Sequence, residues 1–328
     1  MDNQKEKYLN ILEALYIKEN KLLLESSFRA KLFKKLLIFR EFLKGQTNFS
    51  QAFWSIAPEA LRPTKALNEG ENDLDINITF HHLFGYYPHE PVNLLDHRIY
   101  YFLQRKITKR EKYLCFLGLI ELIKPIVISD QYCIRDFIKN DSVIIDAGAN
   151  IGVFSLFVNS LFPNSKIYSF EPNSRIFNML QKNIFENNLT QNVCIYQKAL
   201  GDMEGKSELL RSKDVLETSS SVVNSGFTKG RAMLFSGVDK IEMITIDSFI
   251  KENNIQKVDF IKIDTEGYEK QIIKGAKNTI QHFLPIISCS AYHLENDKTK
   301  IPELVKSINP NYKFKLVNRA EEDLIFWV

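Results

Sequence analysis

Asp146-Ala-Gly-Ala-Asn-Ile-Gly152 is the stretch whose reading decides the fold. It follows an apolar run, Ser142-Val-Ile-Ile-Asp146, that reads as a buried strand, and it leads into residues 152–162, which read as a helix. A strand that turns through glycines into a helix is where doubly wound sheets bind their ligands. Gly148 and Gly152 let the backbone come close to a ligand that a Cβ would push away. A dinucleotide turn would read GxGxxG and face a pyrophosphate. Here Val153 stands where that pattern needs its third glycine, and an acid, Asp146, ends the strand. An acid at that point repels a pyrophosphate. It suits a ligand that carries an ammonium group and a sulfonium charge, which points to S-adenosylmethionine.

Outward from this turn the chain alternates strands with helices. Residues 166–171 read as a second strand, 173–188 as a helix and 192–199 as a third strand. A Ser-rich and less regular stretch covers 202–240. Residues 258–264 form the fourth strand, 268–282 a helix and 284–290 the fifth strand, and 312–318 with 323–328 make a terminal hairpin. Short apolar strands joined by helices imply a mainly parallel sheet covered on both faces. A second acid, Glu171, ends the second strand 25 residues after Asp146. A carboxylate there can accept both ribose hydroxyl protons, as the acid past the turn does in dinucleotide folds.

The first 125 residues read differently. Residues 5–44 repeat apolar positions at three- and four-residue spacing (Leu9, Leu12, Tyr16, then Leu32, Leu36, Phe39, Leu43), the pattern of amphipathic helices. Pro58, Pro63, Pro88 and Pro91 punctuate 48–92 into loops, 93–124 reads as helical, and a short strand is expected at 126–129. The expected domains are therefore a mainly helical region at 1–125 and a ligand-binding domain at 126–328. The helices of 5–44 offer more apolar surface than a small cap needs, so a homodimer through them is expected.

Composition narrows the function. Forty-three basic against 40 acidic residues leave a net charge of +3, without the excess a nucleic-acid binder carries. The four cysteines are far apart and form no CxxC pair, which argues against a zinc or redox motif. The charged N-terminus has no signal-like apolar region, and no run reaches the roughly 20 apolar residues of a membrane span. A cytoplasmic protein is the expectation.

DAGANIG at 146–152, FEPN at 170–173, KALGD at 198–202 and above all DFIKIDTEGYE at 259–269 together resemble the FkbM family of methyltransferases. The similarity covers about residues 130–328. It implies a Rossmann-like class I methyltransferase sheet, parallel with a C-terminal antiparallel hairpin. It also implies transfer of a methyl group from S-adenosylmethionine to a hydroxyl oxygen, often on a sugar or polyketide. In that pattern Asp146, Gly148, Asn150 and Gly152 cradle the methionine end. Glu171, with Asn173 beside it, holds the ribose, and Leu200 and Asp202 flank the adenine.

An acceptor hydroxyl must lose a proton as it attacks, and a positioned base contributes roughly 10²–10⁴-fold. Asp264 and Glu266 fall at the C-terminal end of the fourth strand, where an acceptor should enter, and His293 follows the fifth on the same edge. These three are the candidate catalytic residues; Asp264 and His293 are expected to share the deprotonation, with a base titrating below neutrality on the acidic limb of the rate profile. They could also hold a divalent ion such as Mg or Mn, which would lower the hydroxyl pKa instead. His81, His82, His89, His97, Tyr86, Tyr87 and Tyr100 are candidates to line an acceptor pocket. A dehydrogenase is disfavoured by the missing third glycine. A base methyltransferase is disfavoured because Asp264-Thr-Glu-Gly267 replaces an Asn/Asp-Pro-Pro-aromatic motif. A catalytically silent, cofactor-binding partner subunit is the alternative of another class. The expected acceptor is a nucleotide-activated sugar or surface-glycan precursor, with a polyketide or peptide second. Gly148→Val is expected to abolish cofactor binding while the fold survives.

Overall fold

The structure, a computed structural model, describes residues 92–94, 97–99, 119, 122–212, 220–223 and 234–328. All of them fall in one compact unit made of 90–104 and 118–328. The helices expected over 5–44, the dimer face with them, and His81, His82, His89, Tyr86, Tyr87 and Tyr100 lie outside the described residues.

Seven strands make the main sheet: β3 (Val143–Ala147), β4 (Lys166–Phe170), β5 (Val193–Tyr196), β10 (Phe260–Ile263), β11 (Ile286–Ser290), β12 (Lys313–Asn318) and β13 (Glu322–Trp327). Their order across the sheet is β12-β13-β11-β10-β3-β4-β5. The five strands from β11 to β5 run parallel, and β13 enters antiparallel between β11 and β12. This is the expected class I arrangement, with the hairpin in its place. The chain crosses from β3 to β4 on one side and later returns to lay β10 on the other. The switch point therefore lies between the C-terminal ends of β3 and β10, where such sheets bind ligands.

The local reasons are readable. β10 is buried throughout and β3 from Ile144 to Ala147, as parallel strands covered on both faces must be. α2 (Val153–Leu161) starts directly on Gly152 and is buried through Asn159. α3 (Ser174–Glu186) is capped by Asn173, whose side chain accepts from the backbone N–H of Arg175 and Ile176. No helix among the described residues is long and apolar enough to cross a membrane.

Several expectations need correction. The helix expected over 93–124 gives way at its start to a hairpin, β1 (Val92–Leu94) with β2 (His97–Ile99). Residues Lys124–Ile128 form a π-helical turn, not a strand. They carry Pro125, which lacks the N–H a ladder needs. One helix over 268–282 is in fact two, α5 (Glu269–Lys274) and α6 (Lys277–Phe283), broken at Gly275. A Cβ at Gly275 would stand 1.9 Å from the carbonyl oxygen of Gly201, so the chain must pass there bare. The stretch expected to be irregular, 202–240, instead supplies most of a second sheet: β6 (Ala199–Leu200) just before it, β7 (Gly205–Ser212), β8 (Ser221–Val222) and β9 (Phe235–Ile244), in the order β6-β9-β7-β8. Two further helices, α4 (Ile246–Glu252) and α7 (Asp297–Ile308), also went unread; Pro302 lies inside the second.

Candidate active site

The turn after β3 is built from left-handed backbone: Gly148 at φ +78°, Asn150 at +52° and Gly152 at +94°. The Asn150 side chain supports its own strained position by accepting from the Ile151 N–H at 2.7 Å. The N–H groups of Gly148 and Ala149 donate to the carbonyl of Phe170 at 3.1 and 2.9 Å, tying the turn to the end of β4. A Cβ on Gly148 would stand 2.0 Å from the Asp264 carbonyl oxygen. The space at Gly148 is thus filled by the neighbouring strand, and the expectation that Gly148→Val leaves the fold intact is corrected. A Cβ on Gly152 would meet only the tip of Leu180, at 2.8 Å.

Glu171 is buried at the end of β4. One carboxylate oxygen accepts from Asn150 N–H at 3.0 Å, the other from Asn173 N–H at 2.9 Å. Each oxygen has a second lone pair, so the group can still take two ligand hydroxyls. Burial pushes its pKa from 4.5 to about 7, against the two backbone N–H groups and Lys262, which lower it. Asn173 is spent on capping α3.

The raised carboxyl yields a pH prediction. In the free protein it favours the folded state fully below its ordinary value and loses that contribution as pH rises through about 7. Affinity for a ribose runs the other way, because the ionised form is the acceptor. S-adenosylhomocysteine is expected to bind about tenfold tighter at pH 8 than at pH 6. Glu171→Gln should bind weakly and without that dependence. Calorimetry at both pH values checks it, and a flat wild-type profile would contradict the role.

Asp146 has a partner that the sequence did not suggest. It is fully buried, paired with the Lys262 ammonium at 3.2 Å, and accepts from Ser155 Oγ at 3.0 Å. Leu200 is buried in β6 beside the turn at Gly201, and Asp202 is exposed.

At the end of β10 the three catalytic candidates come together. His293 Nε2 faces Asp264 Oδ1 at 3.6 Å and Glu266 Oε2 at 3.5 Å. Tyr132, buried, donates its hydroxyl to Asp264 Oδ2 at 2.6 Å. Glu269, also buried, was not singled out by sequence reasoning. Its Oε1 meets His293 Nδ1 at 2.9 Å and accepts from the N–H of Thr265 and Gly267 at 3.0 and 3.1 Å. One oxygen therefore fixes both the imidazole and the turn that carries Glu266 at φ +54°. The signal was available: an acid two residues past an Asp-x-Glu-Gly turn, at the first position of a helix. Asp297 supports the loop after His293 by accepting from Leu294 N–H and pairing with Lys270.

The electrostatics divide these groups. Burial opposes charge on His293, but the Glu269 hydrogen bond and the charges of Glu269, Asp264 and Glu266 prevail and raise it to about 10. Burial raises Asp264, yet Lys262, His293 and the Tyr132 hydroxyl outweigh it, and the carboxyl lies below its ordinary range. Burial, with Asp264, Glu269 and Glu321 nearby, lifts Glu266 to about 8, although His293 opposes the rise. A histidine raised to about 10 is not a base that titrates below neutrality, so the acidic limb expected there does not come from His293.

Asp264, Glu269 and His293 each offer a metal-ligating atom within 4.8 Å of one another. Glu269 Oε1 is already occupied by two backbone donors and the imidazole. Nε2 stands 3.5–3.6 Å from the other two carboxylates, within reach of an ion pair when the imidazole is charged.

A methyltransferase FkbM domain matches residues 146–316. A protein named Methyltransferase 1 from Beauveria bassiana is 28% identical over 165 residues, covering 46% of this chain and 65% of that protein. The hexuronic acid methyltransferase AglP of Haloferax volcanii is 23% identical over 187 residues, covering 57% of this chain and 71% of that one. The crystal structure of an FkbM methyltransferase from Methylobacillus flagellatus aligns over 68% of this chain and 56% of its own, with 18% identity and a TM-score of 0.44.

Proposed function

The chain belongs to the FkbM methyltransferase family, and from that premise we propose that it methylates a hydroxyl of a sugar, carried on a nucleotide or on a surface-glycan precursor. The observation that carries the reading is the packing of the glycine turn directly on the Asp264 backbone, which brings the ligand crevice against the carboxylate cluster. The sugar acceptor is supported by AglP, whose name gives it a hexuronic acid substrate. S-adenosylmethionine, the cofactor the family implies, supplies a methyl carbon and a good leaving group. Glu171 fits its ribose, with one lone pair per oxygen to spare.

The protein's own work is on the acceptor. Asp264, held ionised, receives the hydroxyl and orients its oxygen. Glu266, near 8, stands where a group can take and release a proton at working pH. His293, charged, keeps the two carboxylates together. No step of this account needs a metal.

Turnover is therefore expected to rise with pH through about 8 as Glu266 ionises, and Glu266→Gln should remove that limb. EDTA should leave the rate unchanged. A chelator-sensitive rate restored by Mg or Mn would replace this account with the metal-assisted one. The activity is tested with labelled S-adenosylmethionine and a panel of nucleotide sugars, read by mass spectrometry. Methylation of polyketide or peptide hydroxyls alone would refute the sugar acceptor.

A further inference from the structure

Lys262 is a lysine in the middle of a buried parallel strand, 3% exposed. Such a residue is costly unless its charge is paired and its protons are all placed. Its ammonium donates to the carbonyl oxygens of Gly148 at 2.7 Å and Ala147 at 3.2 Å, and pairs with Asp146 at 3.2 Å. The rings of Tyr132 and Phe154 cover it, with centroids at 5.4 and 5.8 Å. All three oxygen partners lie at the end of β3 or in the turn that follows.

Neutralising Asp146 would need only one of those contacts. The other two fix the direction of successive carbonyls in the turn, at the point where Gly148 takes left-handed backbone. Asp264 lies two residues past Lys262, just beyond the end of β10, on the side of the strand that Lys262 faces. Tyr132, which covers the ammonium, also donates to Asp264. Displacing the ammonium would move the ligand turn and the acceptor carboxylate together.

Resting on the methyltransferase reading, we propose that Lys262 is a positioning residue for cofactor binding: it clamps the carbonyls of the glycine turn, beyond balancing the charge of Asp146. Lys262→Met keeps the length of the side chain and removes its donors. Alone it leaves Asp146 buried without its partner, and the protein should lose stability. The double variant Lys262→Met with Asp146→Asn removes that orphan charge. Its melting temperature should rise above that of either single variant, each of which leaves one buried charge alone, while calorimetry should find S-adenosylhomocysteine bound at least tenfold more weakly than by Asp146→Asn. A merely structural lysine would not divide the two readouts.

Equal affinity in the double variant and Asp146→Asn would overturn the clamp, since charge balance would then be all that Lys262 does. So would a double variant that fails to fold where Asp146→Asn folds. Loss of binding already in Asp146→Asn overturns it as well, because the carboxylate and not the turn would hold the ligand. A wild-type protein that binds no S-adenosylhomocysteine sinks the cofactor reading first, and is seen before any substitution is made.

Discussion

Asp264→Asn is expected to lower maximal turnover by about 10²-fold, the scale on which a misplaced reacting group costs rate. Affinity for S-adenosylhomocysteine should change by no more than about threefold, because the side chain is not proposed to touch the cofactor. The substitution is conservative in volume, and the Tyr132 hydroxyl can still donate to the amide oxygen as it now does to Oδ2 at 2.6 Å. What it removes is the charge that faces His293 Nε2 at 3.6 Å and the second acceptor oxygen for the substrate hydroxyl. An effect on the rate with binding preserved marks an interaction strengthened in the transition state. Calorimetry and steady-state kinetics on one preparation separate the two quantities. If turnover stays at the wild-type level, Asp264 does not orient the acceptor, and residues 1–125 with their histidines become the place to search.

The path from residues to site was readable where one segment carried the whole signal. A buried strand, a glycine turn and a helix follow one another in 20 residues, so β3, the turn and α2 stand in the sequence as they stand in the fold. β4, β5, β10, β11 and the hairpin are similarly self-contained. The second sheet was not legible because its long strands are half exposed: β9 has no buried position from Ser236 through Lys240, and Gly237 and Asp239 within that stretch read as loop. α7 was hidden by its polar opening and by Pro302. At the site, the catalytic candidates could be named because strand ends are predictable. Their partners could not. Lys262 answers Asp146 from 116 residues away, and Tyr132 answers Asp264 from 132 away, so nothing local announces either pairing. The protonation of His293 escaped for the same reason. One histidine in a sequence shows no sign of the three carboxylates that hold its charge.

Gly148→Ala is expected to destroy the folded state rather than merely empty the ligand site. The added Cβ would meet the Asp264 carbonyl oxygen at 2.0 Å and the Thr265 methyl at 3.2 Å, and the first of these is backbone. Relief requires β3 and β10 to part at their ends, where Asp264 N–H donates to Ala147 at 3.2 Å and Lys262 donates to Gly148 at 2.7 Å. Left-handed backbone at φ +78° adds about 1–2 kcal/mol for any residue with a Cβ. Together these should exceed about 4 kcal/mol, a large part of the roughly 5–15 kcal/mol that holds a domain folded. Gly152→Ala is the control, since it shares the left-handed backbone at +94° but meets only a mobile leucine tip at 2.8 Å. It should fold and lose about 1–3 kcal/mol. Thermal unfolding of the two variants beside the wild type decides the matter. A Gly148→Ala protein that melts within a few degrees of wild type and has lost S-adenosylhomocysteine would restore the reason first read from the sequence, that the glycine leaves room for a ligand and not for a strand.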